Sequence, residues 1–246
     1  MSLNVCVFGV SGYTGSKLLY YLNKHKKIKI IGVFGNSKIG ENLNEIHPSI
    51  KNLPKLKITN YNDFNFSNVD LIFSCLPAGL FQSKIIKNLD PNIPIIDLSG
   101  DFRLENKLTY ENFYETSHKS FNLKDKFVYG LSEINRDAIK KSKFISNPGC
   151  YPTSILIPLL PLLEKKIISS GHVIIDSKSG VSGAGKRSVE ENLITELNNN
   201  FYSYSVTSHK HIPEIDQEIK KVSENISFTF VPNILPIFCG LQSNIY

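Results

Sequence analysis

The sequence predicts an α/β fold, with a doubly wound parallel-sheet domain at residues 1–149 and an α+β domain with a mostly antiparallel sheet at residues 150–246. Three observations lead to this prediction. Short apolar segments alternate with helix-like segments in the first part of the chain, as in parallel α/β sheets. A glycine-rich turn follows the first apolar segment. After about residue 150 several segments alternate polar and apolar residues, which is typical of antiparallel sheets with one solvated face.

The elements of the first domain are predicted from apolar runs and from helical spacing. The runs are short and several are rich in isoleucine and valine, which indicates strands that are buried on both faces of a sheet. Strands are expected at Leu3–Phe8, Ile28–Phe34, 69–76, 93–98 and 143–146, and helices at 16–22 and 80–89.

The elements of the second domain follow a different pattern. One helix is expected around Val189, Leu193 and Leu197, and another at 213–222, where Ile215, Ile219 and Val222 share a face. Strands are expected at 173–178, 201–206, 226–231 and 241–246.

The composition excludes several classes of protein. The 246 residues are 41% hydrophobic, which is enough to form a core. The chain has no long apolar run and no signal-like N-terminus, so neither a membrane span nor secretion is predicted. Its four cysteines include no CxxC pair, which indicates a reducing cytoplasm. The net charge of +6 comes from scattered lysines. It indicates compositional bias or weak attraction of an anionic substrate, not nucleic-acid binding.

The glycine-rich turn directly after the first strand is the first candidate site. It runs from Gly9 to Gly15, with the sequence GVSGYTG, between a predicted strand and a predicted helix. Glycines allow a tight turn and close backbone approach, and the helix N-terminus attracts pyrophosphate. We therefore predict a Rossmann-type dinucleotide site, with a plain strand–helix turn as the alternative. Its predicted cofactor-binding residues are Gly9, Ser11, Gly12, Tyr13, Thr14 and Gly15.

The end of the second strand indicates which dinucleotide binds. An NAD-preferring site usually carries an acidic residue there, which binds the ribose hydroxyl. This chain has Gly35-Asn36-Ser37-Lys38 instead. Ser37 and Lys38 suit a 2′-phosphate, so NADP is the predicted cofactor, and an ordinary polar turn is the alternative.

Cys150 is the candidate nucleophile. Its segment, SNPGCYPT at 146–153, joins a strand to a helix, and Pro152 suits the first helical turn. A cysteine at a helix N-terminus is favoured as the thiolate, which is the attacking form. Burial as a small hydrophobic residue is the alternative, and it is the expected state of Cys6 and Cys75 within apolar strands.

A histidine pair is the candidate acid–base site. The segment HKHIPE at 209–214 opens a helix, and Glu214 follows His211 at a spacing that lets it orient the imidazole ring. His211 is predicted to act first as base and then as acid, and His209 to contact the substrate. A helix cap with two surface histidines is the alternative. No metal site is predicted, because no third ligand is apparent.

Several segments occur in an order that resembles one enzyme family. They are GVSGYTG at 9–15, DLSGDFRL at 97–104, YGLSE at 129–133, NPGCYPT at 147–153, KSGVSGAGK at 178–186 and HKHIPEI at 209–215. Over the whole chain they are similar to the N-acetyl-gamma-glutamyl-phosphate reductases of arginine biosynthesis.

The resemblance implies a reaction and further site residues. The implied substrate is an acyl phosphate, N-acetyl-L-glutamyl 5-phosphate, and NADPH reduces the thioester that it forms with Cys150. Ser182 and Gly183 are implied to lie around the nicotinamide and the substrate. Arg103 is expected to anchor the substrate through two-pronged contacts, with a structural ion pair as the alternative. Asn147 is expected to help stabilise the oxyanion. The expected partners are this small molecule and further copies of the chain.

The sequence departs from the resembling family's pattern at two positions, and it is also shorter. Cys239 stands where the family carries an arginine, and Pro158 adds a second proline beside Pro161, which predicts a kinked helix. The chain ends at Tyr246, so the second domain is expected to be incomplete. Two alternatives therefore stay open: an enzyme related to aspartate-semialdehyde dehydrogenase, against which HKHIPE and YGLSE argue, and an inactive remnant that binds a nucleotide.

Overall fold

A computed structural model describes residues 2–186 and 197–246, which pack as two compact units. The first unit comprises Met1–Arg103, Ser117–Gly130 and Asp137–Asn147, and the second comprises Leu104–Thr116, Leu131–Arg136 and Pro148–Tyr246. The chain thus passes into the second unit for the last time at Pro148, next to the predicted boundary. The helix predicted around Val189 and Leu193 lies outside the described residues.

The first unit is built on a six-stranded sheet in the order β2-β1-β3-β4-β6-β5, in which every pair is parallel. The doubly wound fold is therefore confirmed. No strand was assigned from the sequence to Phe127–Tyr129, which forms β5. The strands are β1 (Leu3–Phe8), β2 (Ile28–Phe34), β3 (Leu71–Ser74), β4 (Ile95–Asp97), β5 (Phe127–Tyr129) and β6 (Phe144–Ser146).

Both faces of this sheet are covered by apolar residues. Val5 and Val7 of β1 belong to one core, whereas Cys6 and Phe8 belong to the other. This alternation explains why the strand is apolar throughout. The predicted helix at 80–89 is instead a π-turn followed by a 3₁₀ turn, Phe81–Ile85 and Ile86–Asn88. The α-helices up to residue 141 are α1 (Tyr13–Lys24), α2 (Leu43–Ile46), α3 (Lys107–Tyr114) and α4 (Arg136–Lys141).

The second unit contains a four-stranded sheet in the order β10-β7-β9-β8. The outer pairs are antiparallel, but the long central pair of β7 and β9 is parallel. Two of the three described pairs are thus antiparallel, as predicted, and the parallel central pair makes the sheet a mixed one, since its two strands are joined by a connection long enough for a parallel crossover. Its elements are α5 (Cys150–Glu164), β7 (Gly171–Gly180), β8 (Tyr202–Ser203), α6 (Ile212–Lys220), β9 (Ile226–Leu235) and β10 (Leu241–Ile245).

Helix α5 positions the candidate nucleophile. It is continuous through Pro158 and Pro161, and it buries Tyr151, Ile155 and Leu159. Each proline removes one intrahelical hydrogen bond, so the helix depends on this buried face. Within residues 2–186 and 197–246, no helix is long and apolar enough to cross a membrane.

Candidate active site

The glycine-rich turn lies at the carboxyl end of β1, where the strand order reverses between β2 and β3. Such a reversal is where doubly wound sheets bind ligands. Gly9 has a φ of +78°, and an added Cβ would lie 2.5 Å from the carbonyl oxygen of Cys75. A Cβ on Gly15 would overlap the backbone of Gly9 and Val10. The fold itself therefore requires glycine at positions 9 and 15.

Gly12, in contrast, is not required by the packing of the protein. Its φ is −80°, and the nearest atom to an added Cβ is the carbonyl oxygen of Gly9 at 3.6 Å. It is the N-cap of α1, and no side chain caps that end. First-turn amides without an intrahelical acceptor favour a phosphate. The space at Gly12 thus fits the close approach of a pyrophosphate.

Two alanine substitutions separate these roles. Gly12→Ala is expected to weaken NADP binding by about tenfold or more, or about 1.4 kcal/mol, with little change in the free energy of unfolding. Gly15→Ala is expected to lower the free energy of unfolding by about 1–3 kcal/mol through overpacking. Calorimetric titration with NADP and urea unfolding measure the two effects. Unchanged NADP affinity in the folded Gly12→Ala protein would contradict the assignment.

The turn after β2 carries an ion pair that sequence reasoning missed. Lys38 has a φ of +75°, and its Nζ lies 2.9 Å from Oε2 of Glu41. Both Ser37 and Lys38 are exposed. Their contact with a 2′-phosphate stays a prediction, and the cation of Lys38 is already held by a carboxylate.

His47 supports the cofactor turn, and it was not predicted from the sequence. Its buried ring donates from Nε2 to the carbonyl oxygen of Val10, at 2.8 Å. A lone histidine before a proline gives no pattern that identifies such a contact. His47 therefore fixes the backbone between Gly9 and Gly12.

A cavity of about 220 Å³ opens in the first unit beside the carboxyl ends of β1 and β2. Aromatic and aliphatic side chains share its walls about equally with amide, hydroxyl and lysine side chains. The residues that define it include Phe8, Phe34, Asn36, Tyr61, Leu76 and Lys84.

Cys150 is the first residue of α5, and it is exposed. Gly149 is the N-cap, and its amide donates to Oε1 of Glu214 at 2.8 Å. The Glu214 side chain is fully buried, so this hydrogen bond fixes the start of the helix. The dipole and the first-turn amides favour a thiolate at this position.

Cys6 and Cys75, which the sequence analysis assigned to apolar strands, differ from Cys150 in their burial, as predicted. Cys6 and Cys75 are buried. Burial raises the pKa of the Cys6 thiol to about 12. Burial, together with the nearby charge of Asp97, raises the pKa of Cys75 to about 12 as well. These two thiols are therefore unsuited to nucleophilic chemistry at neutral pH.

His211 lies directly against the nucleophile segment. Its Nε2 lies 2.5 Å from the position that a Cβ on Gly149 would occupy, and the ring is buried. Glycine at 149 is thus required by the imidazole that packs on it. The structure brings His211 and Glu214 to the residue that precedes Cys150. The orientation of the ring by Glu214 stays a prediction, since the observed contact of Glu214 is with the Gly149 amide.

His209 lies behind His211 in an aromatic environment. Its Nδ1 accepts a hydrogen bond from the backbone N–H of His211 at 3.1 Å, so its proton lies on Nε2, 3.5 Å from the hydroxyl of Tyr204. The Tyr204 hydroxyl lies 3.1 Å from that of Tyr151. Burial, with Lys210 nearby, lowers the pKa of His209 to about 4. These contacts support His211, and the contact of His209 with substrate stays a prediction.

The turn that contains Ser182 and Gly183 is a 3₁₀ turn at Val181–Ala184. The Ser182 amide donates to the carbonyl oxygen of Phe238 at 2.9 Å. This bond joins the turn to the loop that carries Cys239, which is exposed. The roles of Ser182 and Gly183 around the nicotinamide stay predictions.

Arg103 and Asn147 are joined in the first unit. The Nε of Arg103 donates to the carbonyl oxygen of Asn147 at 2.7 Å, and a terminal nitrogen donates to that of Leu98 at 3.1 Å. Arg103 is only 7% exposed. These bonds join the segments that follow β4 and β6. The predicted substrate contacts of Arg103 and Asn147 stay predictions.

A buried acidic pair, Asp97 and Asp101, was not singled out from the sequence. Asp97 accepts hydrogen bonds from the amide and the hydroxyl of Ser99 at 3.1 and 2.8 Å. Asp101 accepts from the amides of Gly79 and Gln82 at 2.6 and 3.1 Å. Burial and repulsion from Asp101 raise the pKa of Asp97 to about 7. The signal for this pair in the sequence was the presence of two aspartates at the end of an apolar strand.

Asp97→Asn is expected to remove a contribution that makes the free energy of unfolding decline as pH rises. The folded-state pKa of about 7 exceeds the ordinary aspartate value of about 3.9, so the folded protein binds more protons between those values. The contribution of Asp97 to the free energy of unfolding therefore declines as pH rises from about 4 to about 7, whereas the lowered pKa of His209 acts in the opposite direction in both proteins. Urea unfolding across this range measures the difference in free energy of unfolding between parent and variant, and a difference that does not fall as pH rises would contradict the assignment.

Comparison with known proteins gives family matches over most of the chain. Residues 4–142 match a family model described as the NAD binding domain of semialdehyde dehydrogenase. Residues 150–246 match a model described as the semialdehyde dehydrogenase dimerisation domain. The two matched ranges meet near the last passage of the chain between its units.

Similar relatives carry one name. The chain is 40% identical over 245 residues to a probable N-acetyl-gamma-glutamyl-phosphate reductase, chloroplastic, of Arabidopsis thaliana, covering 99% of this chain and 61% of the relative. For the rice counterpart (Oryza sativa subsp. japonica), identity is also 40%, over 99% of this chain and 59% of the relative. An N-acetyl-gamma-glutamyl-phosphate reductase of Ehrlichia canis is 40% identical, over 99% of this chain and 71% of its own. The chain thus spans about three fifths of the plant relatives' length.

Solved structures share the fold at low identity. Aspartate semialdehyde dehydrogenase II of Vibrio cholerae, complexed with ASA, aligns with a TM-score of 0.74 at 15% identity, over 100% of this chain and 74% of that one. Aspartate semialdehyde dehydrogenase of Candida albicans with NADP aligns with a TM-score of 0.68 at 17% identity, over 100% and 71%. At these identities the likeness shows the fold alone.

Proposed function

The chain belongs to the semialdehyde dehydrogenase family, and from this premise we propose that it is an N-acetyl-gamma-glutamyl-phosphate reductase. The proposed reaction is the NADPH-dependent reductive dephosphorylation of N-acetyl-L-glutamyl 5-phosphate to N-acetyl-L-glutamate 5-semialdehyde. One observation carries it: Cys150 begins α5, and His211 lies against the glycine that precedes it. The name shared by relatives at 40% identity supports this choice of substrate.

The proposed chemistry divides one difficult step into two. The Cys150 thiolate forms a bond with the acyl carbon, and the bond from that carbon to the phosphate oxygen breaks as inorganic phosphate leaves. NADPH, when bound, supplies the hydride that reduces the resulting thioester. The aldehyde then leaves as its carbon–sulfur bond breaks and the Cys150 thiolate is restored.

The residues around Cys150 have distinct proposed roles. His211 takes the thiol proton, gives it to the thiohemiacetal oxyanion that follows hydride transfer, and takes it back as the aldehyde carbonyl forms and the carbon–sulfur bond breaks. Backbone amides of the first turn of α5 stabilise the tetrahedral oxyanion, because they are fixed before the reaction begins. Glu214 holds the Gly149 amide at 2.8 Å, which keeps the nucleophile segment in place against the His211 ring.

The residues of the first unit fit the proposed cofactor. Gly12 leaves space at the N-terminus of α1 for a pyrophosphate. The 220 Å³ cavity, with aromatic walls and amide groups, suits an adenosine moiety. No acidic residue follows β2 directly, which favours NADPH over NADH.

A substrate comparison tests the proposal. The full chain is assayed for phosphate-dependent reduction of NADP with N-acetyl-L-glutamate 5-semialdehyde, and in parallel with L-aspartate 4-semialdehyde. Turnover is expected with the first aldehyde, and it is expected to disappear when phosphate is omitted. Turnover only with the second aldehyde would assign the related dehydrogenase activity. NADP binding without turnover of either aldehyde would indicate a nucleotide-binding protein that lacks both activities.

We also propose a homo-oligomer in a reducing cytoplasm. The match of residues 150–246 to a dimerisation domain supports the first part. Two points support the reducing compartment. The chemistry proposed for Cys150 needs a free thiol, and all four cysteines, each of which lies in the described ranges, are free in the structure.

A further inference from the structure

We propose that Lys84 contacts the 2′-phosphate of the cofactor and thereby sets the preference for NADPH. The inference rests on the proposed function, since it concerns the cofactor of that reaction. It differs from the prediction made from the sequence, which assigned this role to Ser37 and Lys38. Three observations carry it.

The first observation is the charge of the cavity in the first unit. Of the described residues that line this 220 Å³ cavity, Lys84 is the only one that carries a charge. The others are aromatic, aliphatic, glycine, amide or hydroxyl residues. Because no carboxylate lines the cavity, nothing there competes with a phosphate for the ammonium group. A single cation at a polar rim is suited to binding one phosphate group.

The second observation is that the competing cation is engaged. Lys38 Nζ lies 2.9 and 3.2 Å from the two carboxylate oxygens of Glu41. This pair is exposed and therefore weak, so it competes with a phosphate for Lys38 without preventing the contact. Lys38 also does not line the cavity, whereas Asn36, two residues earlier and directly after β2, does. The ribose of a bound dinucleotide is expected at the end of that strand.

The third observation is the backbone that carries Lys84. Lys84 lies in the π-turn Phe81–Ile85, and its carbonyl oxygen accepts hydrogen bonds from the hydroxyl of Tyr61 and the amide of Asn88, both at 3.2 Å. Tyr61 lines the same cavity. The main chain is therefore tied to the cavity wall, while Lys84 is exposed to solvent.

Binding of two nucleotide fragments tests the inference directly. Calorimetric titration compares 2′,5′-ADP, which carries the 2′-phosphate, with 5′-AMP, which lacks it. Lys84→Gln is expected to weaken 2′,5′-ADP binding by about tenfold or more, and to change 5′-AMP binding by less than about twofold. Lys84→Arg keeps the charge and is expected to retain most of the discrimination.

Two further variants serve as the comparison and the control. Lys38→Gln tests the competing cation and is expected to have a smaller effect on 2′,5′-ADP than Lys84→Gln. Lys87→Gln, an exposed lysine three residues later that does not line the cavity, controls for the loss of one positive charge. A larger loss in Lys38→Gln, or equal losses of both fragments in Lys84→Gln, would overturn the inference.

The outcomes separate this inference from the proposed function. Selective loss of 2′,5′-ADP in Lys84→Gln supports the inference even where the parent fails to turn over the acyl phosphate, and only the reaction would then need revision. An active parent in which Lys84→Gln leaves the ratio of kcat/KM for NADPH and NADH unchanged overturns the inference and leaves the function standing. A parent that binds neither fragment overturns the inference, and the turnover assay then decides the proposed function on its own.

Discussion

Cys150→Ser is expected to lower turnover of N-acetyl-L-glutamyl 5-phosphate by roughly a thousandfold or more, the scale seen when a nucleophile is removed from a catalytic unit. A serine hydroxyl ionises far less readily than a thiol, so it is a much weaker nucleophile in the same place. The cofactor features lie in the first unit, so the affinity for NADP is expected to stay close to that of the parent. Steady-state kinetics and calorimetric titration measure the two effects.

Alkylation provides an independent measurement for the same residue. Iodoacetamide is expected to label Cys150 first, and the substrate is expected to slow that labelling. Cys239 is the matched control, because it is also exposed but does not begin a helix in the described chain. Cys239→Ser is expected to retain turnover. Full activity in Cys150→Ser, or faster labelling at Cys239, would exclude the covalent mechanism.

The first unit follows closely from the sequence because its signals are local. The bounds of β1 and β2 agree with the predicted ranges, since each strand is an apolar run that ends at a glycine. The turn after β1 has the expected position between strand and helix. The burial of Cys6 and Cys75 was also predicted, because both lie in apolar segments of the sequence.

The sequence predicted less where partners are distant along the chain. Glu41 engages Lys38 through a turn geometry that spacing alone does not reveal. The parallel pairing of β7 with β9 depends on the path of the crossover, not on the pattern within either strand. Lys84 reaches the cavity from a π-turn, whose extra residue shifts the face that helical periodicity would assign.

The histidine segment was predicted in part. The sequence indicated that His211 and Glu214 lie near the nucleophile, and in the structure both lie against Gly149. The sequence could not show that His209 would be enclosed by Tyr151, Tyr204 and Phe230. In an extended segment, residues 209 and 211 are spaced alike, and spacing does not reveal that both imidazole rings are buried.

The second large effect on activity is expected from replacing His211, the proposed base. His211→Asn is expected to lower kcat by about 100-fold or more, the scale for losing a general acid–base group. His209 is poorly suited to replace it, because a pKa of about 4 makes its ring a weak base and its Nδ1 already accepts the His211 amide. Glu214→Gln is expected to cost less, because the amide oxygen of glutamine can still accept the hydrogen bond from Gly149.

The pH profile distinguishes a base from a packing residue. In the parent, kcat is expected to fall on the acid side as His211 becomes protonated, and this limb is expected to vanish in His211→Asn. His209→Asn is expected to keep the limb, although its activity is reduced through loss of the contact with the His211 backbone. Gly149→Ala is expected to resemble His211→Asn, because the added Cβ would lie 2.5 Å from Nε2 of His211 and displace the ring. A larger loss of kcat in His209→Asn than in His211→Asn, together with loss of the acid limb, would reverse the assignment of the two histidines.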